Sequence, residues 1–274
     1  MNRHKPPWWS QRTAGCPIGA VVCVHQIDSE GREDLLLSRN SVAVVRPSAV
    51  EPKPGDEHKV DYLYGPDTTT RHVHDRTVEP LLHKFVEGYN TTAIMFGSTG
   101  TGKTSLLEGR NGIAIDDDST KTPGQEGLVQ LISASLFDLL EEKQLSTGDK
   151  VAARRRLYQA RGFEYFVDCT YVELFNESCS DLLRPEGQLV KDEDAATVSR
   201  LHVVDMAGAE RLLVDPELLR QREGTQVNQS LLTFATILRK LAQGKPSHSV
   251  NQDASVLTKL LSEALGGNCL TTMI

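Results

Sequence analysis

Eight consecutive residues, Gly97-Ser98-Thr99-Gly100-Thr101-Gly102-Lys103-Thr104, match the phosphate-binding pattern G-x-x-x-x-G-K-[ST] in full. Glycines let the backbone curl so that successive N–H groups point inward and form an anion nest. A helix opening near Thr104 adds the positive end of its dipole. Lys103 would reach the β- and γ-phosphates, and the Thr104 hydroxyl would ligate Mg²⁺. A second constellation lies a hundred residues on, where Leu201-His202-Val203-Val204 runs into Asp205 and then, after two residues, Gly208. An Asp at the end of a buried strand is placed to support Mg²⁺, and the Gly N–H to meet a γ-phosphate. D-x-x-G alone is weak, but it gains weight downstream of a complete phosphate loop. A GTPase shares it, yet no N-K-x-D base-recognition run is present.

The elements that must hold these residues are legible in the pattern. Thr92 to Phe96 (TAIMF) suits a buried parallel strand leading straight into the glycine-rich turn. Val78 to Tyr89 carries apolar residues at three- and four-residue steps, as a helix does. Gly127 to Lys143 repeats that period through Leu128, Leu131, Ile132, Leu136, Leu139 and Leu140. Val227 to Leu241 and Val256 to Leu265 read as further helices, the last stopped by Gly266-Gly267. Ala20 to Val24, Ser41 to Val45 and Leu201 to Val204 read as strands, and Leu270 to Ile274 begins another. Phe163 to Phe175 alternates through Tyr165, Val167, Tyr171, Val172 and Leu174, which predicts β structure. Strands alternating with helices predict an α/β layer fold around a largely parallel sheet.

Of the 274 residues, 39% are hydrophobic and 24% charged, and the formal net charge is -7. These are ordinary values for a globular protein. The acidic balance argues against nucleic-acid binding, for which a basic excess is the usual footprint. The five cysteines are scattered without a CxxC pair, which suggests neither a disulfide framework nor a zinc site. No stretch has the length of a membrane span, and the run Val21-Val22-Cys23-Val24 is too short for a signal peptide. The chain reads as intracellular and soluble. Residues 1–19, with Pro6, Pro7 and Pro17, read as a flexible lead-in, and residues 20–274 as one domain.

Six blocks of residues resemble the kinesin motor family, in the family's order, from about Asp61 onward. Tyr64-Gly65-Pro66-Asp67 is similar to its FGP-D segment. Gly88-Tyr89-Asn90, the phosphate loop and Glu108-Gly109 are similar to GYN…GQTGSGKT…MEG. Glu173-Leu174-Phe175-Asn176-Glu177 with Asp181-Leu182-Leu183 resembles E-[IL]-Y-N-E…D-L-L. Val204 to Arg211 (VDMAGAER) resembles the switch II run V-D-L-A-G-S-E-[RK]. Asn228-Gln229-Ser230-Leu231 resembles N-K-S-L. Leu257-Thr258-Lys259-Leu260-Leu261 with Leu265-Gly266-Gly267-Asn268 resembles L-T-R-L-L…L-G-G-N.

The resemblance implies a P-loop NTPase fold that binds ATP with Mg²⁺, hydrolyses it and moves on microtubules, in the cytoplasm and cytoskeleton. By the same carry-over Lys103, Thr104, Asp205, Gly208 and Glu210 are the catalytic set, with Thr104 and Asp205 at the metal. Lys259 is what remains of the microtubule-binding cations. His74 stands where the family has an adenine-stacking aromatic, and reads equally as a helix-surface histidine.

The departures are as informative. The family's switch I, N-x-x-S-S-R-S-H, is absent; only about seventeen residues separate Leu183 from Leu201, and Ser199-Arg200 is the nearest remnant. Without the groups that position the attacking water, hydrolysis is expected to fall by powers of ten. The adenine-side R-x-R-P is incomplete, whether the first strand is Val22-Cys23-Val24-His25 or Val44-Val45-Arg46-Pro47. The loop 212–217 is apolar and acidic where the family is basic. Arg154-Arg155-Arg156 with Arg161 is a basic cluster that reads as a solvated face or a partner patch. No neck helix and no heptad run is present, so the alternatives are a degenerate head serving as a nucleotide- or partner-binding module, or a truncated product.

Overall fold

A computed structural model of the chain describes residues 18–24, 35–37, 41–44, 57–109, 126–154, 163–175, 177–183, 198–209, 225–244 and 252–274. The expected lead-in over 1–19 lies outside these residues, apart from Ile18 and Gly19, which open the first strand. The strands are β1 (Ile18–Cys23), β2 (Leu35–Leu37), β3 (Ser41–Val44), β4 (Glu57–Lys59) and β5 (Tyr62–Tyr64). Next come α1 (Thr70–Val73), a π-helical turn (His74–Val78), α2 (Glu79–Val86) and β6 (Thr91–Met95). Then follow α3 (Lys103–Glu108), α4 (Leu128–Arg154), β7 (Val172–Phe175), β8 (Ser178–Asp181) and β9 (Leu201–Asp205). The chain continues through α5 (Thr225–Ala242), α6 (Val256–Leu260), α7 (Ser262–Gly266) and β10 (Leu270–Met273).

Five strands form the central sheet in the order β5-β1-β10-β6-β9. All four pairings are parallel. β2, β3 and β4 make a separate antiparallel sheet, and β7 with β8 a two-stranded hairpin.

Strand periodicity explains the layers. Side chains of β6 alternate, so Ala93 and Met95 join Val78, Leu82, Leu128 and Ile132 on one face. Ile94 joins Leu231, Phe234, Ile237, Leu261 and Leu265 on the other. Helices α2 and α4 therefore cover one side of the sheet, and α5 to α7 the other. The helix expected over 127–143 is present and longer; Leu128, Leu131, Ile132, Leu136 and Leu140 are all buried. Each fully buried leucine contributes roughly 1.5–3 kcal/mol, so this stripe is a main support of the face under the phosphate loop.

Two expectations are corrected. Only Val172–Phe175 of the predicted β-rich stretch 163–175 is a strand. Tyr165, Phe166 and Tyr171 remain exposed, because alternation supplies a face but not a neighbouring strand to pair with. The helix expected to begin at Val78 begins at Thr70, capped by the Thr69 hydroxyl, and passes through the π turn. No helix among the described residues is long and apolar enough to cross a membrane.

Candidate functional site

Parallel pairing brings the two sequence motifs together. The register runs from Thr91↔Leu201 to Met95↔Asp205, so both strands end at the same edge of the sheet. Ligands of open α/β sheets bind outside the carboxyl ends of the strands. Beyond Met95 the chain turns through Gly97 to Gly102, with φ of 81° at Gly100 and 90° at Gly102. Those left-handed conformations suit glycine alone. A Cβ on Gly97 would lie 2.8 Å from Thr101 Oγ1, while one on Gly100 would meet nothing within 4 Å.

Lys103 Nζ donates to the carbonyls of Gly97 (2.8 Å) and Ser98 (2.7 Å), and so lies folded over its own loop. The Thr104 hydroxyl donates to Asp205 Oδ2 at 2.7 Å. Residues 101 positions apart thus share one hydrogen bond. A hydroxyl and a carboxylate are the hard oxygen donors that Mg²⁺ takes. An open cleft of about 460 Å³ is lined by Thr99, Gly100, Gly102, Lys103, Thr104, Ser105, Asp205, Met206, Ala207 and Gly208. Its glycine cradle, cation and paired oxygens fit a phosphate chain with a divalent cation.

Sequence reasoning missed three lining residues, Ser105, Met206 and Ala207, and one tether. Ala209 N–H donates to the Gly97 carbonyl at 2.9 Å, joining the loop after β9 to the first residue of the phosphate loop. A backbone-to-backbone contact leaves no trace in residue types. Glu210 lies outside the described residues, as do the loop 212–217 and Arg155, Arg156 and Arg161.

Three residues singled out by the family pattern, His74, Ser199 and Arg200, sit away from this cleft. His74 is 2% exposed on the π turn. Its Nδ1 is 2.9 Å from Asp75 Oδ1, and its Nε2 has no hydrogen-bond partner among the described residues. It does not line the phosphate cleft, and its burial rules out the helix-surface reading. Its apolar neighbours on the buried face of the helix have drawn it inside.

Ser199 and Arg200 precede β9, at the opposite end of the strand from Asp205. Five residues of strand span about 16 Å. There the Ser199 hydroxyl donates to the Phe85 carbonyl (3.0 Å), and Arg200 NH1 pairs with Glu263 (3.0 Å). Asn90 donates to the same carboxylate and accepts from the Arg200 N–H. The switch I remnant is therefore a clasp at the far end of the sheet. Lys259, on α6, is exposed.

The kinesin motor-domain model matches residues 25–196 and 186–274. The chain belongs to the kinesin motor-domain family. Its two matched segments meet at 186–196, inside the short interval that lacks the switch I sequence. Among curated relatives, the chain is 30% identical over 264 residues to "Kinesin-like protein KIN-7K, chloroplastic" of Oryza sativa subsp. japonica, with 82% of this chain and 24% of that protein covered. It is 27% identical over 282 residues to the human "Kinesin-like protein KIF18B", with 78% and 30% covered. The chain thus spans about a quarter of the length of these relatives. A solved structure described as kinesin 6 superposes with a TM-score of 0.61 at 17% identity, covering 93% of this chain and 92% of that one. That likeness bears on the kinesin fold alone.

Proposed function

We propose that the chain is the nucleotide-binding head of a kinesin-type motor, taking ATP with Mg²⁺ at the cleft between the phosphate loop and Gly208. The observation that carries this is the 2.7 Å hydrogen bond from Thr104 to Asp205 beside Lys103, at the carboxyl edge of the parallel sheet. In this reading the N–H groups of residues 97–104 hold the phosphates. Lys103 leaves the carbonyls of Gly97 and Ser98 for the β- and γ-phosphates. Thr104 and Asp205 would hold Mg²⁺, which supplies charge neutralisation when bound. Gly208 would report the γ-phosphate to the loop after β9, and the Ala209–Gly97 contact gives that report a path back. Glu210 would act in turnover. Microtubules, and with them a cytoplasmic, cytoskeletal setting, follow from the family, with Lys259 on α6 as the cation facing the acidic track.

Turnover is proposed to be slow. Phosphoryl transfer rests on positioning and electrostatics. The serines and arginine that supply both in the family's switch I are missing from the sequence, and Arg200 is engaged with Glu263 at the other end of β9.

The test is titration of a fluorescent ATP analogue with Mg²⁺ into wild type and Lys103→Ala. Two charge-assisted hydrogen bonds at about 1.5 kcal/mol each predict binding weakened roughly a hundredfold by the substitution. A wild-type chain that binds no nucleotide overturns the reading. A steady-state ATPase rate equal to that of an intact motor overturns the slow-turnover part only.

A further inference from the structure

Glu177 stands out from the rest of the hairpin. It lies between β7 and β8, after Phe175 and before Ser178, with φ of 60°. Among the described residues it is the one non-glycine with positive φ. That conformation strains a side-chain-bearing residue, and glycine would hold it without strain.

What offsets the strain is the carboxylate. One oxygen accepts from the Ser230 hydroxyl on α5, a side chain that is itself buried. The other accepts from Val256 N–H at 2.6 Å. Val256 is the first residue of α6, and its N–H is one of the donors that a helix start leaves without an internal partner. Ser255 and Thr258 close a capping box at the same end, so Thr258 N–H is met by Ser255 while Val256 N–H is met by Glu177. A single side chain therefore joins the hairpin, α5 and α6.

Val172 and Phe175 of the hairpin are 46% and 69% exposed, so burial of these side chains does not fix its position. Helix α6 has five residues, too few to be stable without its neighbours. It carries Lys259 and the half-exposed Leu260.

We infer that Glu177 is a positioning residue for the partner-binding face: its carboxylate sets α6, and so Lys259, relative to α5 and the hairpin. This rests on the reading of Lys259 as a contact to an acidic protein track, and it adds the residue that holds that contact in place. The nucleotide cleft lies outside the linkage, because neither Glu177 nor its two partners lines it.

Three forms of the full chain test this: wild type, Glu177→Gly and Glu177→Gln. Glycine suits the backbone and removes both acceptors. Glutamine can still accept from Val256 N–H through its carbonyl and donate to the Ser230 hydroxyl, so it acts as the conservative rescue and keeps the test open should the glycine variant not fold. Hydrogen exchange is followed in peptides covering 252–261 and 97–108, with ATP-analogue titration and microtubule co-pelleting across a salt series alongside. In Glu177→Gly the 252–261 peptide should exchange roughly tenfold faster. Residues 97–108 and nucleotide affinity should stay within about twofold of wild type. Pelleting should weaken roughly three- to fivefold, as for loss of one exposed charge contact, and Glu177→Gln should sit near wild type on every readout. Unchanged exchange in 252–261 overturns the inference. So does an equal acceleration of both peptides, which would make Glu177 a general stabiliser. A wild-type chain that does not pellet overturns the reading of Lys259 and with it the role assigned to Glu177 at that face; the exchange data then decide only whether the carboxylate holds α6.

Discussion

β6 and β9 are parallel neighbours of five residues each, and both deliver a motif to the same cleft. All five residues of β6 are buried, while β9 is half-buried over its first four residues and exposed at Asp205. Composition does not make the difference, since LHVV is as apolar as TTAI. Position does: β6 has β10 on one side and β9 on the other, whereas among the described residues β9 is the edge of the sheet. The chain keeps the phosphate loop on a fully buried strand and the Asp that answers it on a half-buried one.

Truncation on the two strands gives the sharpest contrast. Ile94 is fully buried among Leu231, Phe234 and Leu265, and Ile94→Ala should cost 2–5 kcal/mol, on the order of other core truncations. Val203 packs only partly against the opposite cluster, and Val203→Ala should cost about 1 kcal/mol. Urea unfolding of the two variants reads the difference. Equal losses would break the comparison and mean that β9 is covered as closely as β6.

A second substitution probes how tightly the supported side is built. Gly127 opens α4 against the end of α3. A Cβ there would lie 2.3 Å from the Leu107 carbonyl oxygen and 2.4 Å from Gly109 N. These are backbone atoms, and Gln130 pins the same spot by accepting from Gly127 N–H and donating to the Glu108 carbonyl. Gly127→Ala should therefore destabilise by roughly 1–3 kcal/mol. Because α3 follows directly from the phosphate loop, it should also weaken ATP-analogue binding several-fold. A thermal melt with a titration tests both, and a variant matching wild type in each would show that this side can give.

The sequence carried the supported half well. TAIMF, the phosphate loop, the 128–140 leucine stripe and the strand before Asp205 are each long or sharply patterned, and each lies where its period predicted. What it could not carry depends on partners distant in the chain. β5 is three residues long, too short for any period to register. The helix expected over 256–265 breaks at Leu261 into α6 and α7, although the apolar spacing runs on through the break. His74 matches a family position in sequence, but on the π turn its ring is buried. Ser199-Arg200 kept two residue types of switch I, yet register puts them at the wrong end of β9. Identity along the chain does not say which end of a strand a residue will occupy.

The smallest expected effect tests the edge from within. In register, His202 on β9 stands beside Thr92 on β6, so the covered strand holds a neutral group where the edge strand holds a titratable one. Burial pushes the His202 pKa below its ordinary value of 6.5, Glu263 opposing the shift and Arg200 adding to it. The folded state thus favours the neutral ring, and the unfolded chain takes up the proton first as pH falls. This contribution to stability is present above the ordinary histidine pKa and is lost as pH drops below it toward the lowered value. Between pH 7 and pH 5.5 the urea midpoint of wild type should fall more than that of His202→Val, which has nothing to protonate. If the two midpoints fall in parallel, the ring meets water freely in the fold, and β9 is more open than its half-burial implies.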